Sequence, residues 1–371
     1  MMNGIRLIKP YIEYADVEAE FREVFETGIF TRGSHVNKFA QKLGGVVGSE
    51  YSFLTTSATT ALWISLKAVN VSAGDEVAIS DFSFPATANV VEDLGAKPVF
   101  IDVNLDTFNM NVNDLVAKIT PKTKAVIFVD AFGNPTGLHE IKKVCEYYSL
   151  PLIEDAACAL GSKEFNIACG KIADITCFSF HPRKLLCTGE GGAITTDNKD
   201  WALWFERKLL HGASENSSGK LEFNDYGFNF RMSELQAIMG LKQIENLQFI
   251  IDQRARVQDI YIAELSPLGF RAQKAGPSAL HNFQSLVFTV PDEMDRDSLI
   301  KHLKARSIET TIGTFCQSNL PFYKNKYGNV QPNAARLETK TITLPCYQDL
   351  PTEHVCDCIK EFFDLAVAGS R

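Results

Sequence analysis

The chain has 371 residues, of which 45% are hydrophobic and 22% are charged, the ordinary composition of a globular enzyme. Its net charge of -8 at pH 7 provides no basic field for nucleic acid or for an anionic membrane, so neither is an expected partner. No apolar run reaches the ~18 residues of a membrane span, and the first residues do not resemble a signal peptide.

The cysteines and histidines are the obvious candidates for metal ligands, but their spacing favours neither a metal site nor disulfides. The nine cysteines include no C-x-x-C pair, and Cys145, Cys177 and Cys346 lie in apolar runs, where a small buried hydrophobic side chain is expected. The seven histidines form no H-x-x-H cluster. We therefore expect no bound metal and a location in the reducing cytoplasm.

Short apolar segments alternate with helical segments over the first half of the chain. Residues 11–48 are predicted to form helices with a Gly-rich break at 31–34. After them, the predicted strands are 53–55, 76–79, 98–101, 125–129 and 151–153, and the predicted helices are 61–68, 85–94, 111–119 and 140–148. This alternation predicts an α/β fold whose central sheet is mostly parallel and covered by helices on both faces.

The last third of the chain has a different pattern. A capping box at Ser233 opens a helix that is predicted to span 233–260, and strands are expected near 284–290 and 341–344 before a last helix over 352–367. Since a single core stops growing near ~250–300 residues, we predict a large domain, 1–245, and a small α+β domain, 246–371.

The stretch 172–196 contains the strongest candidate for a reactive side chain. An apolar run, 175–180, is followed by a polar turn, then Lys184, then the Gly-rich segment 188–192. The run predicts a buried strand, and desolvation at its exit favours the neutral amine that can attack a carbonyl. The alternative interpretation of Lys184 alone is an exposed lysine after a strand.

Four further signals fall where predicted strands end. A helix that starts at 56–62 with small hydroxyl residues offers free N–H groups to an anion, although a plain helix cap is the alternative. Asp155 ends a buried strand, where it could pair with a heterocyclic cation or cap the next helix. An aromatic of the run 82–84 could stack on a planar ring or belong to the core. Ser179 could join the anion site or face solvent.

Together these groups match the needs of pyridoxal 5′-phosphate. The helix start and Ser179 would hold a phosphate, an aromatic of the run 82–84 would stack on the ring, Asp155 would keep the ring nitrogen protonated, and Lys184 would form an imine. Each signal is weak alone, but they occur in one consistent order.

The chain resembles the sugar aminotransferases of the DegT/DnrJ/EryC1/StrS family, in a colinear match from about residue 20 to the C-terminus. The segments that carry the resemblance are 57–62, 94–102, Asp155, 178–184 with 188–192, and 229–237. The resemblance implies fold type I and a homodimer with active sites at the subunit interface. It also implies individual roles: Lys184 as the Schiff-base lysine, Asp155 as the pyridinium partner, Phe84 as the stacking ring, Ala58, Thr59 and Ser179 as phosphate ligands, and Asn229 as a phosphate ligand from the partner subunit.

Position 158 departs from the family. Relatives often carry Gln or His there, in contact with the phenolic oxygen of the cofactor, and this chain has Cys158, whose thiol is a weak donor. The position is still expected to face the ring. His181 lies on the same predicted rim, where substrate contact and simple packing are both open interpretations.

The predicted reaction is transfer of an amino group from glutamate to a keto sugar, most simply a nucleotide-linked 3- or 4-keto deoxysugar, in amino-sugar biosynthesis. One alternative is a deoxysugar dehydratase of the same fold, but those relatives replace the lysine with histidine. A second alternative is a non-enzymatic regulatory descendant, which would be expected to lose Asp155 or Lys184.

Overall fold

The computed structural model describes residues 4–216 and 218–369 and contains a seven-stranded central sheet. Its strands, in spatial order, are Tyr51–Thr55, Gly192–Thr196, Ile175–Ser179, Leu152–Asp155, Thr123–Val129, Glu76–Ser80 and Lys97–Ile101. The last five are parallel to one another, whereas Gly192–Thr196 runs antiparallel to both of its neighbours. The predicted mostly parallel α/β sheet is therefore confirmed, with strand bounds within a few residues of those expected.

Helices cover both faces of this sheet. Since successive strand residues point to opposite sides, each strand contributes to a core on either face. Ile127 packs in a core with the helices Ala58–Ala68, Ala86–Asp93 and Lys199–Lys208, while its neighbours Val126 and Phe128 pack in another core with the helices Val112–Lys118 and Leu138–Tyr147. Three more helices complete the second face, Tyr14–Thr27, Ser34–Val47 and Glu234–Ile244. The apolar runs in the sequence are thus strands buried on both sides.

The C-terminal region forms a four-stranded antiparallel sheet with its own core. The strands, in spatial order, are Arg271–Ala272, Leu286–Thr289, Thr341–Leu344 and Thr311–Ile312. The helices are Leu247–Leu265, Arg296–Ala305, Pro321–Tyr327, Pro332–Lys340 and Thr352–Gly369. This agrees with the predicted α+β unit, and we propose 245/246 as the boundary between the two domains. The start of the chain nevertheless packs on the smaller sheet, since Ile5 pairs with Ile308.

The prediction of one continuous helix over 233–260 is wrong. The segment forms two helices, Glu234–Ile244 and Leu247–Leu265, which are separated at Glu245 and Asn246. The first helix packs on the large domain and the second packs against Thr352–Gly369 of the small one, so tertiary contacts break the segment at a point that has neither Gly nor Pro. The remaining described elements are five short strands, two hairpin strands and three 3-10 helices: Phe82–Ser83, Lys163–Glu164, Ile167–Ala168, Ala279–Leu280, Phe315–Cys316, Ala213–Glu215, Leu221–Phe223, Ala131–Gly133, Ser266–Leu268 and Gln317–Asn319.

Glu234 explains the Gly-rich break between the first two helices. Its buried carboxylate accepts hydrogen bonds from the backbone N–H groups of Gly33 and His35, both at 2.9 Å, and so caps the helix Ser34–Val47. A Cβ atom at Gly33 would lie 2.7 Å from Glu234 Oε2, so only glycine allows this approach.

Among the helices described here, none is long and apolar enough to cross a bilayer.

Candidate active site

Lys184 lies in the loop between two adjacent central strands. Ser179, the last residue of Ile175–Ser179, pairs with Gly192, the first residue of the antiparallel strand, so both ends of the loop are fixed by the sheet. The Lys184 N–H donates to the carbonyl of His181 at 2.8 Å. The half-buried Lys184 side chain reaches Cys158, with Nζ 3.1 Å from Sγ. The predicted reactive lysine and the unusual cysteine are therefore in direct contact.

Asp155 ends the neighbouring parallel strand at the same edge of the sheet. Its buried carboxylate accepts a hydrogen bond from the Thr87 hydroxyl at 2.9 Å through Oδ2 and one from the Ala157 N–H at 3.2 Å through Oδ1. Burial raises the pKa of the Asp155 carboxyl, while Thr87, Lys184 and Ala157 act in the opposite direction. Each oxygen keeps a lone pair free, so the carboxylate fits a protonated ring nitrogen that would compensate for its burial.

The third part of the site is the start of the helix Ala58–Ala68. Ser57 caps it by accepting the Thr60 N–H at 3.1 Å, which leaves the N–H groups of the first turn available; Thr59 is exposed and Ala58 is half-buried. A Cβ atom at Gly192 would lie 2.6 Å from the Ala58 nitrogen. Gly192 also pairs with Ser179, so Ala58 and Ser179 lie on the two sides of this one glycine. This arrangement is suited to binding an anion.

Phe84 lies on the rim of the same edge and is 66% exposed. It follows the strand Phe82–Ser83, which pairs with Phe315–Cys316 of the small domain, and its ring centroid is 6.4 Å from that of Phe315. Asp81, which is buried, holds this pairing in place by accepting the Ser318 N–H and hydroxyl, both at 2.6 Å. The exposed face of Phe84 is therefore presented by a fixed backbone, as a stacking ring requires.

Asn229 is exposed and belongs to a segment that its own chain anchors. Lys208, which is buried, donates to Asp225 Oδ1 at 2.6 Å and to the Tyr226 carbonyl at 2.9 Å. The rings of Phe228 and Phe230 stack with centroids 5.2 Å apart, and both rings contact Trp63, so these two aromatics cover their own core. In the part of the chain that the structure describes, no side-chain hydrogen bond joins Asn229 to the site around Lys184.

His181 turns toward its own loop. Its Nδ1 accepts the Arg183 N–H at 3.2 Å, and burial lowers the pKa of its imidazole, so the neutral ring serves as an acceptor there. This contact agrees with the packing interpretation.

Sequence reasoning missed three buried residues at the site. Thr87 could have been noticed, since a Thr follows Pro85 at the start of the helix after Phe84. Asn282 and Gln284 contact the loops of Cys158 and Lys184 from about 100 residues away, and no local pattern marks them.

The chain belongs to the DegT/DnrJ/EryC1/StrS aminotransferase family, which matches residues 12–363. It is 30% identical to the GDP-perosamine synthase of Escherichia coli, over 91% of this chain and 92% of that protein. It is also 30% identical to the 3-oxo-glucose-6-phosphate:glutamate aminotransferase of Bacillus subtilis, over 92% of this chain and 78% of that protein. The solved aminotransferase TlmJ from Streptoalloteichus hindustanus is 26% identical and superimposes with a TM-score of 0.90, covering 99% of this chain and 100% of that chain.

These matches confirm the predicted family, the predicted fold class and the predicted aminotransferase activity. The cofactor of such an enzyme is pyridoxal 5′-phosphate, as the sequence predicted. The buried Asp155 carboxylate with its free lone pairs and the amine of Lys184 fit this group.

Proposed function

We propose that this protein transfers an amino group from glutamate to the carbonyl carbon of a nucleotide-linked keto sugar. The observation that carries the proposal is the meeting of Lys184 and the buried Asp155 at one edge of the sheet, beside an open rim. The names of two relatives support the substrates, since the GDP-perosamine synthase makes a GDP-linked sugar and the 3-oxo-glucose-6-phosphate:glutamate aminotransferase uses glutamate.

Each proposed role follows from a contact in this chain. The cofactor, when bound, supplies an electron sink. Asp155 would hold the proton on the ring nitrogen, and Thr87 and Ala157 orient its carboxylate for this. Lys184 would hold the cofactor covalently and, when released, move a proton at Nζ as general base and acid. Cys158, in contact with Nζ, would face the same ring.

The remaining cofactor ligands would come from the rim. Ala58 and Thr59 at the helix start, with the Ser179 hydroxyl across Gly192, would bind the phosphate, because free N–H groups and the helix dipole favour an anion. Phe84 would cover one face of the ring.

The free state of all nine cysteines supports a cytoplasmic location for the enzyme.

A direct assay tests the reaction. Purified protein would be incubated with pyridoxal 5′-phosphate, nitrogen-15-labelled glutamate and a panel of GDP- and dTDP-linked 3- and 4-keto deoxysugars, with 3-oxo-glucose-6-phosphate as a sugar that lacks a nucleotide. We expect mass spectrometry to find the label in a nucleotide-linked product. Labelling of the sugar phosphate alone would contradict the nucleotide-linked substrate, and label in no sugar at all would contradict the function.

The active unit is proposed to be a homodimer in which Asn229 binds the phosphate of the partner's site. The support is the exposure of Asn229 and of Tyr226, which is 61% exposed, on a segment that Lys208 holds rigid. Aromatic side chains such as that of Tyr226 are enriched at protein interfaces.

Subunit complementation tests the homodimer. Mixed dimers of inactive Lys184→Ala chains and Asn229→Ala chains contain one site with both native residues, so activity should return to a fraction of the wild-type level. Hybrid dimers without recovered activity would mean that Asn229 serves its own subunit's site or none.

A further inference from the structure

Gln284 is a buried amide that contacts the backbone on both sides of Lys184. Its Nε2 donates to the Arg183 carbonyl at 2.8 Å, and its Oε1 accepts the Leu185 N–H. The side chain is 2% exposed, so water cannot replace either hydrogen bond. The two peptide groups that flank the lysine are thus fixed by one side chain.

Asn282 makes the corresponding contacts to the loop of Cys158. Its Nδ2 donates to the Cys158 carbonyl at 2.8 Å and to the Leu160 carbonyl at 2.9 Å, and its Oδ1 accepts the Gln284 N–H at 2.9 Å. Adjacent amides on one segment therefore hold the two loops whose side chains meet at Lys184 Nζ and Cys158 Sγ.

This segment is itself held rigidly. Arg254, buried in the helix Leu247–Leu265, donates through one guanidinium nitrogen to the carbonyl of Phe283 at 3.1 Å and to that of Gln284 at 3.0 Å. A Cβ atom at Gly133 would lie 1.9 Å from Asn282 Oδ1, so this glycine, with φ of +100°, makes the room that Asn282 occupies. The small domain thus holds the loop of Lys184 through buried, hydrogen-bonded polar groups.

We propose that Gln284 is a positioning residue for the transamination, one that sets where Lys184 Nζ stands relative to Asp155 and Cys158. The inference rests on the proposed role of Lys184. Loss of the Gln284 amide frees two peptide groups beside the reacting amine, and a misplacement of about 1 Å can cost about 100-fold in rate.

The chain offers a matched control in Gln243. This buried amide holds the backbone of Cys187, three residues after Lys184, in the way that Gln284 holds the backbone beside Lys184. Its Oε1 accepts the Cys187 N–H at 3.0 Å, and its Nε2 donates to the Cys187 carbonyl at 2.6 Å. Gln284→Met and Gln243→Met each remove one buried amide with little change in volume, so a purely structural role predicts equal effects on the function of Lys184.

Two measurements separate the variants. In protein freed of cofactor, hydrogen exchange at the Leu185 amide should accelerate in Gln284→Met, and exchange at the Cys187 amide should accelerate in Gln243→Met. In protein loaded with pyridoxal 5′-phosphate, the pH midpoint of the cofactor's absorbance change should shift in Gln284→Met alone, and its kcat should fall by about 10- to 100-fold. Gln284→Asn, which keeps a shorter amide, should show the same shifts and covers the case in which Gln284→Met does not fold.

The inference is overturned if the Gln284 and Gln243 variants share one absorbance midpoint and the same kcat. It is also overturned if exchange at Leu185 is unchanged in both Gln284 variants. A wild-type protein that binds no cofactor would contradict the proposed function instead, and the exchange experiment would still decide whether Gln284 holds the loop.

Discussion

Two buried aspartates on neighbouring strands of the central sheet have opposite surroundings. Asp155 has hydrogen-bond donors at both carboxylate oxygens and lies near Lys184. Asp130 directly follows the adjacent strand and donates its N–H to the Asp155 carbonyl at 3.3 Å, yet neither of its carboxylate oxygens has a hydrogen-bond partner among the described residues. Its polar neighbours are Glu154 and the thiol of Cys169, within 4.8 Å.

The two carboxyls differ in their donors: Asp155 has two and Asp130 has none among the described residues, although burial raises the pKa of both. Burial and the nearby charge of Glu154 raise the pKa of Asp130 well above its ordinary value. Glu154 Oε2 accepts the Thr176 hydroxyl at 2.8 Å and the Gly170 N–H at 3.1 Å, whereas its Oε1 is unpaired. Asp130 thus has no donor among the described residues that would stabilise its charge, whereas Asp155 is arranged for a cationic partner.

Replacement of Lys184 by alanine gives the largest expected effect, because it removes the amine that would bond to the cofactor and move the proton beside Asp155, a group that Asp130 lacks. Lys184→Ala should abolish turnover and also the adduct that borohydride traps between the protein and its cofactor. Peptide mapping of the reduced wild-type protein checks the assignment, and an adduct on another lysine would refute it.

Asp155→Asn should have the second largest effect. The substitution keeps the shape but removes the charge that would hold the ring-nitrogen proton, so kcat should fall by about 100-fold or more while Lys184 still bonds to the cofactor. Steady-state kinetics and the absorbance spectrum test the two halves of this expectation. An unchanged kcat would mean that the carboxylate only accepts the Thr87 and Ala157 hydrogen bonds.

Thr87→Val should have a smaller effect in the same direction. It removes one of the two donors that orient Asp155, and one hydrogen bond to a charged group is worth about 1.5–3 kcal/mol, so we expect kcat to fall by about tenfold. Thr195→Val is the matched control, since the buried Thr195 hydroxyl donates to the Gly170 carbonyl at 3.0 Å instead. Equal kcat values for the two variants would contradict the orienting role of Thr87.

Asp130→Asn should change kcat least. Its effect should appear instead in how the free energy of unfolding depends on pH. Because burial and the charge of Glu154 raise the pKa of Asp130 in the folded state above its ordinary value of about 4 in the unfolded chain, this group costs stability as pH rises from about 4, by at most about 1.4 kcal/mol per pH unit. The variant has no such group, so its free energy of unfolding should fall less steeply between pH 4 and pH 8. Urea titrations across this range measure the slope, and parallel slopes would mean that Asp130 is ionised in the folded protein.

The sequence was sufficient to predict the fold and to place Lys184 and Asp155 at one edge of the sheet, while their roles remain predictions. Alternating apolar runs predicted the parallel strands, and the order of motifs predicted that Lys184 and Asp155 share one edge. The sequence was insufficient for features that depend on contacts between distant residues. The helix break at Glu245 and Asn246 contains neither Gly nor Pro, and Gln284 contacts the loop of Lys184 only in the folded chain. Predicted contacts of Asn229 involve a second subunit and remain a prediction.

The distant clamp on the lysine loop has a consequence for how the protein is made. Leu185 leaves the ribosome 99 residues before Gln284, and Cys158 leaves it 124 residues before Asn282. At about 5–20 residues per second, the lysine loop therefore waits several seconds for the side chains that fix it. A nascent or truncated chain that ends before residue 282 can form most of the central sheet. It lacks Asn282 and Gln284, however, so it cannot hold Lys184 in position. Cofactor binding is therefore expected to be a late event that follows synthesis of the small domain.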